Sequence, residues 1–196
     1  MNDSIKVIDN FLPPDEFVSF ASMAMKAHMY SPCDFTAEHS EKDGSIENFG
    51  EVPMGHAPKH ECMFGALLLQ KDISSYSYSN FYRMNHSIME KISELLDVKQ
   101  WWQMRINVTT GQNANFVGSY HVDSDNVLFE RGGKTACFYL NTNNGGTQFE
   151  DKETGLNGDI VRSKANRIVI FPCETPHAGV WCTDAKLRYV LNMNYE

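Results

Sequence analysis

The sequence predicts a mainly β protein, N-terminal helices followed by a double-stranded β-helix (jelly-roll) barrel of about eight strands. Three observations carry that expectation. From residue 101 onward, short stretches rich in β-branched and aromatic residues recur with turn signals between them, the pattern of a sandwich or barrel. Before residue 100, apolar residues recur mainly at helical spacing. A length of 196 residues with a 42% hydrophobic share is enough for one domain with a sizeable core.

Taken in order, 5–9 alternates as a short strand, and Pro13-Pro14-Asp15-Glu16 then marks a helix start. Proline is tolerated in the first turn, and acids there face the positive end of the helix dipole. Phe17, Phe20, Met23, Ala24 and Ala27 give 16–28 a helical face. Residues 31–62, rich in Ser, Glu, Asp, Gly and Pro, read as a long surface loop. Such a loop in a compact domain is often a lid, so it is the candidate for substrate contact. His56, His60 and Cys62 could form a zinc cluster there, but no second ligand pair at suitable spacing accompanies them.

An apolar run follows at 63–70, and a helical stripe over 76–96 carries Tyr78, Phe81, Tyr82, Ile88, Met89, Ile92, Leu95 and Leu96. Beyond Lys99, strands are expected over 101–109, 115–121, 134–141, 147–150, 159–162, 167–171, 177–181 and 187–195. Thr110-Gly111-Gln112-Asn113 and Asn143-Asn144-Gly145-Gly146 supply turns. The expected organisation is one domain, 1–196, with 1–100 as helical support and lid loop and 101–196 as the jelly-roll core.

The formal charge of −8 argues against a broad footprint on duplex nucleic acid. No apolar run approaches the roughly 20 residues of a membrane helix. Met1-Asn2-Asp3-Ser4 lacks the basic and apolar regions of a signal peptide. The five cysteines are scattered without paired spacing and read as reduced thiols, so a cytoplasmic setting is expected.

The chemistry centres on Ser119-Tyr120-His121-Val122-Asp123. In an extended segment, residues two apart point to the same face, so His121 and Asp123 would project into one cavity. An imidazole and a carboxylate are two thirds of the facial ligand set of a non-haem Fe(II), and His177 is the best candidate for the second imidazole. Three positions would remain for a chelating 2-oxo acid and dioxygen. The far carboxylate of such an acid needs a fixed cation, and Arg188 is suited to it, in the middle of the apolar strand Leu187-Arg188-Tyr189-Val190-Leu191-Asn192. Alternation sets Arg188, Val190 and Asn192 on one face and Leu187, Tyr189 and Leu191 on the other.

From about residue 101 to 195 the chain resembles the 2-oxoglutarate- and Fe(II)-dependent oxygenases, closest to the prolyl 4-hydroxylase-like branch. The motifs are His121-Val122-Asp123, Ala136-Cys137-Phe138-Tyr139-Leu140-Asn141, Gly145-Gly146-Thr147-Gln148-Phe149, Ile170-Phe171-Pro172, Pro176-His177 and Leu187-Arg188-Tyr189, in the family's order. The opening Val7-Ile8-Asp9-Asn10-Phe11-Leu12 is also similar. Asn141-Thr142-Asn143 and Ala165-Asn166-Arg167 resemble uncharacterised bacteriophage members, which would set the protein in a host cytoplasm.

The resemblance implies a hydroxylase that uses Fe(II), 2-oxoglutarate and O2 and releases succinate and CO2. His121, Asp123 and His177 would hold the metal as catalytic residues. Arg188 and, by the resemblance alone, Tyr139 would bind the cosubstrate. The substrate would be a protein or peptide side chain or a small molecule. Two departures stand out. The tyrosine that prolyl hydroxylases usually carry on the first barrel strand is replaced near Asn107 or Val108. Lys186, two residues from Arg188, would share its inner face, and some members use lysine for the distal carboxylate. The competing readings are a non-catalytic jelly-roll binding module and a cupin-like metal dioxygenase that does not use 2-oxoglutarate.

Overall fold

The computed structural model describes residues 4–27, 31–32, 63–72, 75–123, 126–151, 154 and 157–196. Strand β1 (Lys6–Asp9) leads into helix α1 (Pro14–Lys26). Pro14 opens the helix, where its missing N–H would be unpaired anyway, and Asp15 and Glu16 occupy the first turn. Ala27 turns extended and ends it. Strands β2 (Ser31–Pro32), β3 (Met63–Lys71) and β4 (Tyr76–Tyr78) follow.

The helix expected over 76–96 is corrected at its start. Tyr76–Tyr78 pairs with β3 as a strand, and Ser79 then caps α2 (Asn80–Met84) by accepting the Tyr82 N–H at 3.1 Å. Asn85, whose Nδ2 donates to the Phe81 carbonyl at 2.9 Å, separates α2 from α3 (His86–Leu95).

The barrel is built from β5 (Trp101–Thr110), β6 (Lys134–Tyr139), β7 (Gly146–Glu150), β8 (Asn157–Arg162), β9 (Arg167–Pro172), β10 (His177–Val180) and β11 (Leu187–Tyr195), with a short helix α4 (Asn126–Glu130) before β6. The eighth strand expected there, 115–121, is present only as two isolated antiparallel bridges, Val117 to Val180 and His121 to His177. Four steps on one side match three on the other, so the pairing bulges, and a bulge bends a strand and re-aims its side chains.

The large antiparallel sheet runs β1-β9-β6-β11-β5-β3-β2, with β4 on β3, and the smaller one runs β10-β7-β8. The first hundred residues therefore supply four strands to the large sheet as well as helices. Inward residues of α1, α2 and α3, among them Phe17, Phe20, Tyr82, Met89 and Ile92, pack with Met104, Ile106, Phe138, Leu191 and Met193 into the main core. The sheet's other face meets the small sheet through Cys137, Tyr139, Val190, Phe149, Val161 and Phe171. The alternation read along β11 accounts for this split: Tyr189 and Leu191 enter the helical core, whereas Arg188, Val190 and Asn192 line the space between the sheets.

Candidate metal centre

Two backbone hydrogen bonds set His121 opposite His177, each N–H donating to the other's carbonyl at 3.0 Å. Directly opposed residues share a face, and the two imidazole centroids lie 4.7 Å apart. Each Nδ1 contacts the carbonyl two residues upstream, His121 to Ser119 at 3.0 Å and His177 to Thr175 at 2.9 Å. A carbonyl only accepts, so both Nδ1 atoms carry a hydrogen and the neutral rings keep their lone pairs at Nε2.

Those lone pairs converge on Asp123. His121 Nε2 is 3.4 Å from Oδ1 and His177 Nε2 is 3.5 Å from Oδ2. The three ligand atoms lie within 4.8 Å of one another. Ligands about 2.1 Å from an ion and cis to each other are about 3 Å apart, so this group is close to closing on a cation. The His177 ring is wedged by Phe171, with centroids 4.7 Å apart. Asp123 is 3% exposed and His177 4%, against 24% for His121.

Burial alone would lower the pKa of His121, but the Asp123 hydrogen bond and charge, with the Ser119 carbonyl, outweigh it and raise it. Burial also opposes the charge on Asp123, yet His177 and His121 hold its carboxyl well below the ordinary range. The point between the three groups therefore favours positive charge. Nearby, the Cys137 thiol is pushed up to about 12, first by burial and then by the Asp123 charge, so it stays neutral.

A cavity of about 80 Å³ opens beside the triad, lined by His121, His177, Cys137, Thr147, Arg188 and Asn192 among others. Arg188 is 5% exposed. Its Nε donates to Ser163 Oγ at 2.9 Å and its Nη2 to the Gly146 carbonyl at 2.8 Å. The strand passes this close because Gly145 lacks a side chain: a Cβ there would meet the Val180 carbonyl at 2.5 Å and Arg188 Cδ at 3.1 Å.

Tyr139 is fully buried, with its ring centroid 5.6 Å from the guanidinium carbon. Its hydroxyl contacts Thr147 Oγ1 at 2.9 Å and the Val161 carbonyl at 3.2 Å. Thr147 lines the cavity, whereas Tyr139 lies behind it. Lys186 is corrected: it lies exposed in the bend before β11 and does not share the inner face of Arg188. His28, His39, His56, His60, Cys62 and most of the 31–62 loop lie outside the described residues. His86 is remote on α3 and pairs with Glu90 at 3.2 Å. Cys173 and Cys182, which flank His177 in sequence, are buried thiols outside any disulfide.

The donors fit a ferrous ion and a 2-oxo acid. Two imidazoles and one carboxylate are the facial set that leaves positions open for a chelator. The Arg188 guanidinium is hydrogen-bonded to neutral oxygens and, among the described residues, faces no carboxylate. Thr109 Oγ1, across the ladder from Arg188, and Asn107 Oδ1 are buried in the same lining without partners among the described residues. A buried cation and unpaired polar atoms are costly until an anion or polar ligand completes them. Sequence reasoning missed Thr109, Thr147 and the two orienting carbonyls. Cross-strand pairing of Thr109 with Arg188 becomes visible only once the register is known.

Neither a protein-family model nor the sequence of a curated protein matches this chain. Solved structures do. A prolyl hydroxylase from Trichoplax adhaerens, in complex with a hypoxia inducible factor oxygen degradation domain peptide fragment, is 13% identical with a TM-score of 0.58, covering 99% of this chain and 84% of its own. A Pseudomonas putida prolyl-4-hydroxylase is 12% identical with a TM-score of 0.55, covering 100% and 93%. A Burkholderia pseudomallei oxidoreductase of the 2OG-Fe(II) oxygenase family is 10% identical with a TM-score of 0.52, covering 91% and 90%. The fold is that of the prolyl hydroxylases and other 2-oxoglutarate–Fe(II) oxygenases, with a His-Asp-His group between its sheets.

Proposed function

We propose that the chain is an Fe(II)- and 2-oxoglutarate-dependent dioxygenase that hydroxylates a protein or peptide side chain. The observation that carries this reading is the buried Arg188 guanidinium, without a carboxylate partner among the described residues, in the same cavity as the His121, Asp123 and His177 group. A binding module needs neither part, and a metal dioxygenase that does not use a 2-oxo acid needs no arginine behind its metal. The peptide bound to the Trichoplax enzyme supports a peptide substrate.

In this reading His121, Asp123 and His177 hold the metal through their inward atoms, and the Ser119 and Thr175 carbonyls keep both imidazoles in the coordinating tautomer. Arg188 receives the far carboxylate of 2-oxoglutarate, while Tyr139 flanks the guanidinium and reaches the same end of the cavity through Thr147. With iron, 2-oxoglutarate and O2 bound, the centre would supply oxidation of a C–H bond, with succinate and CO2 as co-products. Val190 in the cavity lining, with Phe149 and Phe171 packed against the His177 ring, limits water at the reacting centre.

The test is succinate formation with Fe(II) and 2-oxoglutarate over a panel of peptides, free amino acids and other small molecules, alongside anaerobic titration of Mn(II) and then 2-oxoglutarate. Ordered binding and substrate-stimulated succinate are expected. Metal binding without any 2-oxoglutarate affinity would overturn the assignment in favour of a centre that does not use the 2-oxo acid.

A further inference from the structure

We propose that Asn192 is a positioning residue of the metal centre, holding one oxygen of Asp123 so that the other is left to the ion. The inference rests on the metal reading above and adds to it a residue outside the ligand set. Asn192 lies four residues after Arg188 on the inward face of β11, between Cys137 of β6 and Arg105 of β5. Its Nδ2 donates to Asp123 Oδ2 at 2.9 Å. Among the described residues it is the one neutral side chain that donates to this carboxylate.

The amide's orientation follows from charge. An ionised carboxylate only accepts, so the amide must turn its NH2 toward Asp123 and its carbonyl away. The turned-away Oδ1 is buried and has no partner among the described residues, in a residue that lines the cavity. An amide seated by its own packing would have both ends satisfied. This one is satisfied only at the end that faces Asp123, so the carboxylate dictates its pose.

The consequence for the ligand set is geometric. With Oδ2 engaged by Asn192, Asp123 Oδ1, 3.4 Å from His121 Nε2, is the oxygen with lone pairs to spare. A carboxylate pinned in this way coordinates through one oxygen and leaves the remaining positions of a facial set open. Outer partners of metal ligands typically contribute about 10–100-fold in metal affinity.

The experiment is anaerobic calorimetric titration of the apo protein with Mn(II), and the visible spectrum of the Co(II) form, for wild type, Asn192→Leu and Asn107→Leu. Leucine keeps the size of asparagine and removes its hydrogen bonds. Asn107 also lines the cavity, but its side chain makes no hydrogen bond to the triad, so it controls for making the cavity apolar. Asn192→Leu should bind Mn(II) about 10–100-fold more weakly and shift the Co(II) bands, with Asn107→Leu within about twofold of wild type. Asn192→Ala, which adds no branched bulk, reads the same quantity should the leucine variant not fold. Wild-type affinity in the Asn192 variants, or an equal loss in Asn107→Leu, overturns the proposal while the metal centre stands. A wild-type protein that binds neither ion overturns the metal reading and this inference with it.

Discussion

At the scale of single residues the cavity separates a charge from a set of hydroxyls, and the two should be unequal. Arg188 is a buried cation, and burial lowers its pKa from the ordinary arginine value. Pairing with a ligand carboxylate there is charge-assisted, so Arg188→Ala should cost roughly 3–5 kcal/mol of 2-oxoglutarate binding. The hydroxyl of Tyr139 reaches the cavity only through Thr147, and Tyr139→Phe should cost about 1 kcal/mol. Anaerobic calorimetry with Mn(II) present measures both, and equal losses would mean that the arginine is not the carboxylate's partner. Asp123→Ala should abolish Mn(II) binding in the same assay while leaving the circular dichroism spectrum native. The proximity of the triad was legible because a two-residue spacing and a Pro-His at a strand start carry residue identity. The carbonyls of Ser119 and Thr175 were not, since backbone atoms leave no mark in the sequence. The Asn192–Asp123 bond was half legible: strand parity sets Asn192 on the inner face, but its partner is 69 residues away.

At the scale of elements, two side-chain devices fasten the N-terminal segment to the barrel besides the pairing of β1 with β9. Asn166, at φ 64°, spends its side chain on Leu12, accepting the N–H at 2.9 Å and donating to the carbonyl at 2.8 Å. Asn166→Ala leaves both backbone groups without these partners in a left-handed turn that alanine resists, and should cost roughly 3–5 kcal/mol of stability. Asn166→Gly removes only the turn strain and should recover about 1 kcal/mol of that, measured by urea denaturation. The second device is Asp9, bound by Arg167 Nε at 2.6 Å and Lys164 Nζ at 2.8 Å. Those bonds, Arg167 first, hold its carboxyl far below the ordinary value. A depressed carboxylate adds stability above its unfolded pKa and loses it as pH falls toward the folded one. Wild type should therefore lose stability on acidification more steeply than Asp9→Asn, and the difference should shrink in salt because Asp9 is about a third exposed. Identical acid limbs would show that the pair contributes nothing. Most strands were legible from alternation and turns, but β4 was not. Its tyrosines fit a helical stripe equally well, and only pairing with β3 and the Ser79 cap decide between the two. The 115–121 segment fails as a regular strand because the bulge that aims His121 inward also breaks its ladder.

At the scale of the whole molecule, the site is a joint between layers. His177 opens β10 of the small sheet, Arg188 lies on β11 of the large one, and Asp123 belongs to the connecting segment between β5 and β6. A metal and a 2-oxo acid held by these groups would tie both sheets to that segment, so their binding should appear as resistance to global unfolding. A ligand present at about 100 times its Kd adds about 2.7 kcal/mol to stability, which for a domain of this size is a rise of roughly 5–10 °C in Tm. Mn(II) alone should raise Tm, since the triad bridges the small sheet and the connecting segment without help. 2-Oxoglutarate alone should do little, because in the proposed reading its chelating end has no partner until the metal is bound. Together the two should exceed the sum of the separate shifts, and Arg188→Ala should keep the Mn(II) increment while losing the increment from 2-oxoglutarate. Differential scanning fluorimetry over the four ligand conditions reads all of this without turnover. A 2-oxoglutarate shift that is as large without metal as with it would place the acid somewhere other than between the two sheets, and the coupling of triad and arginine would fail.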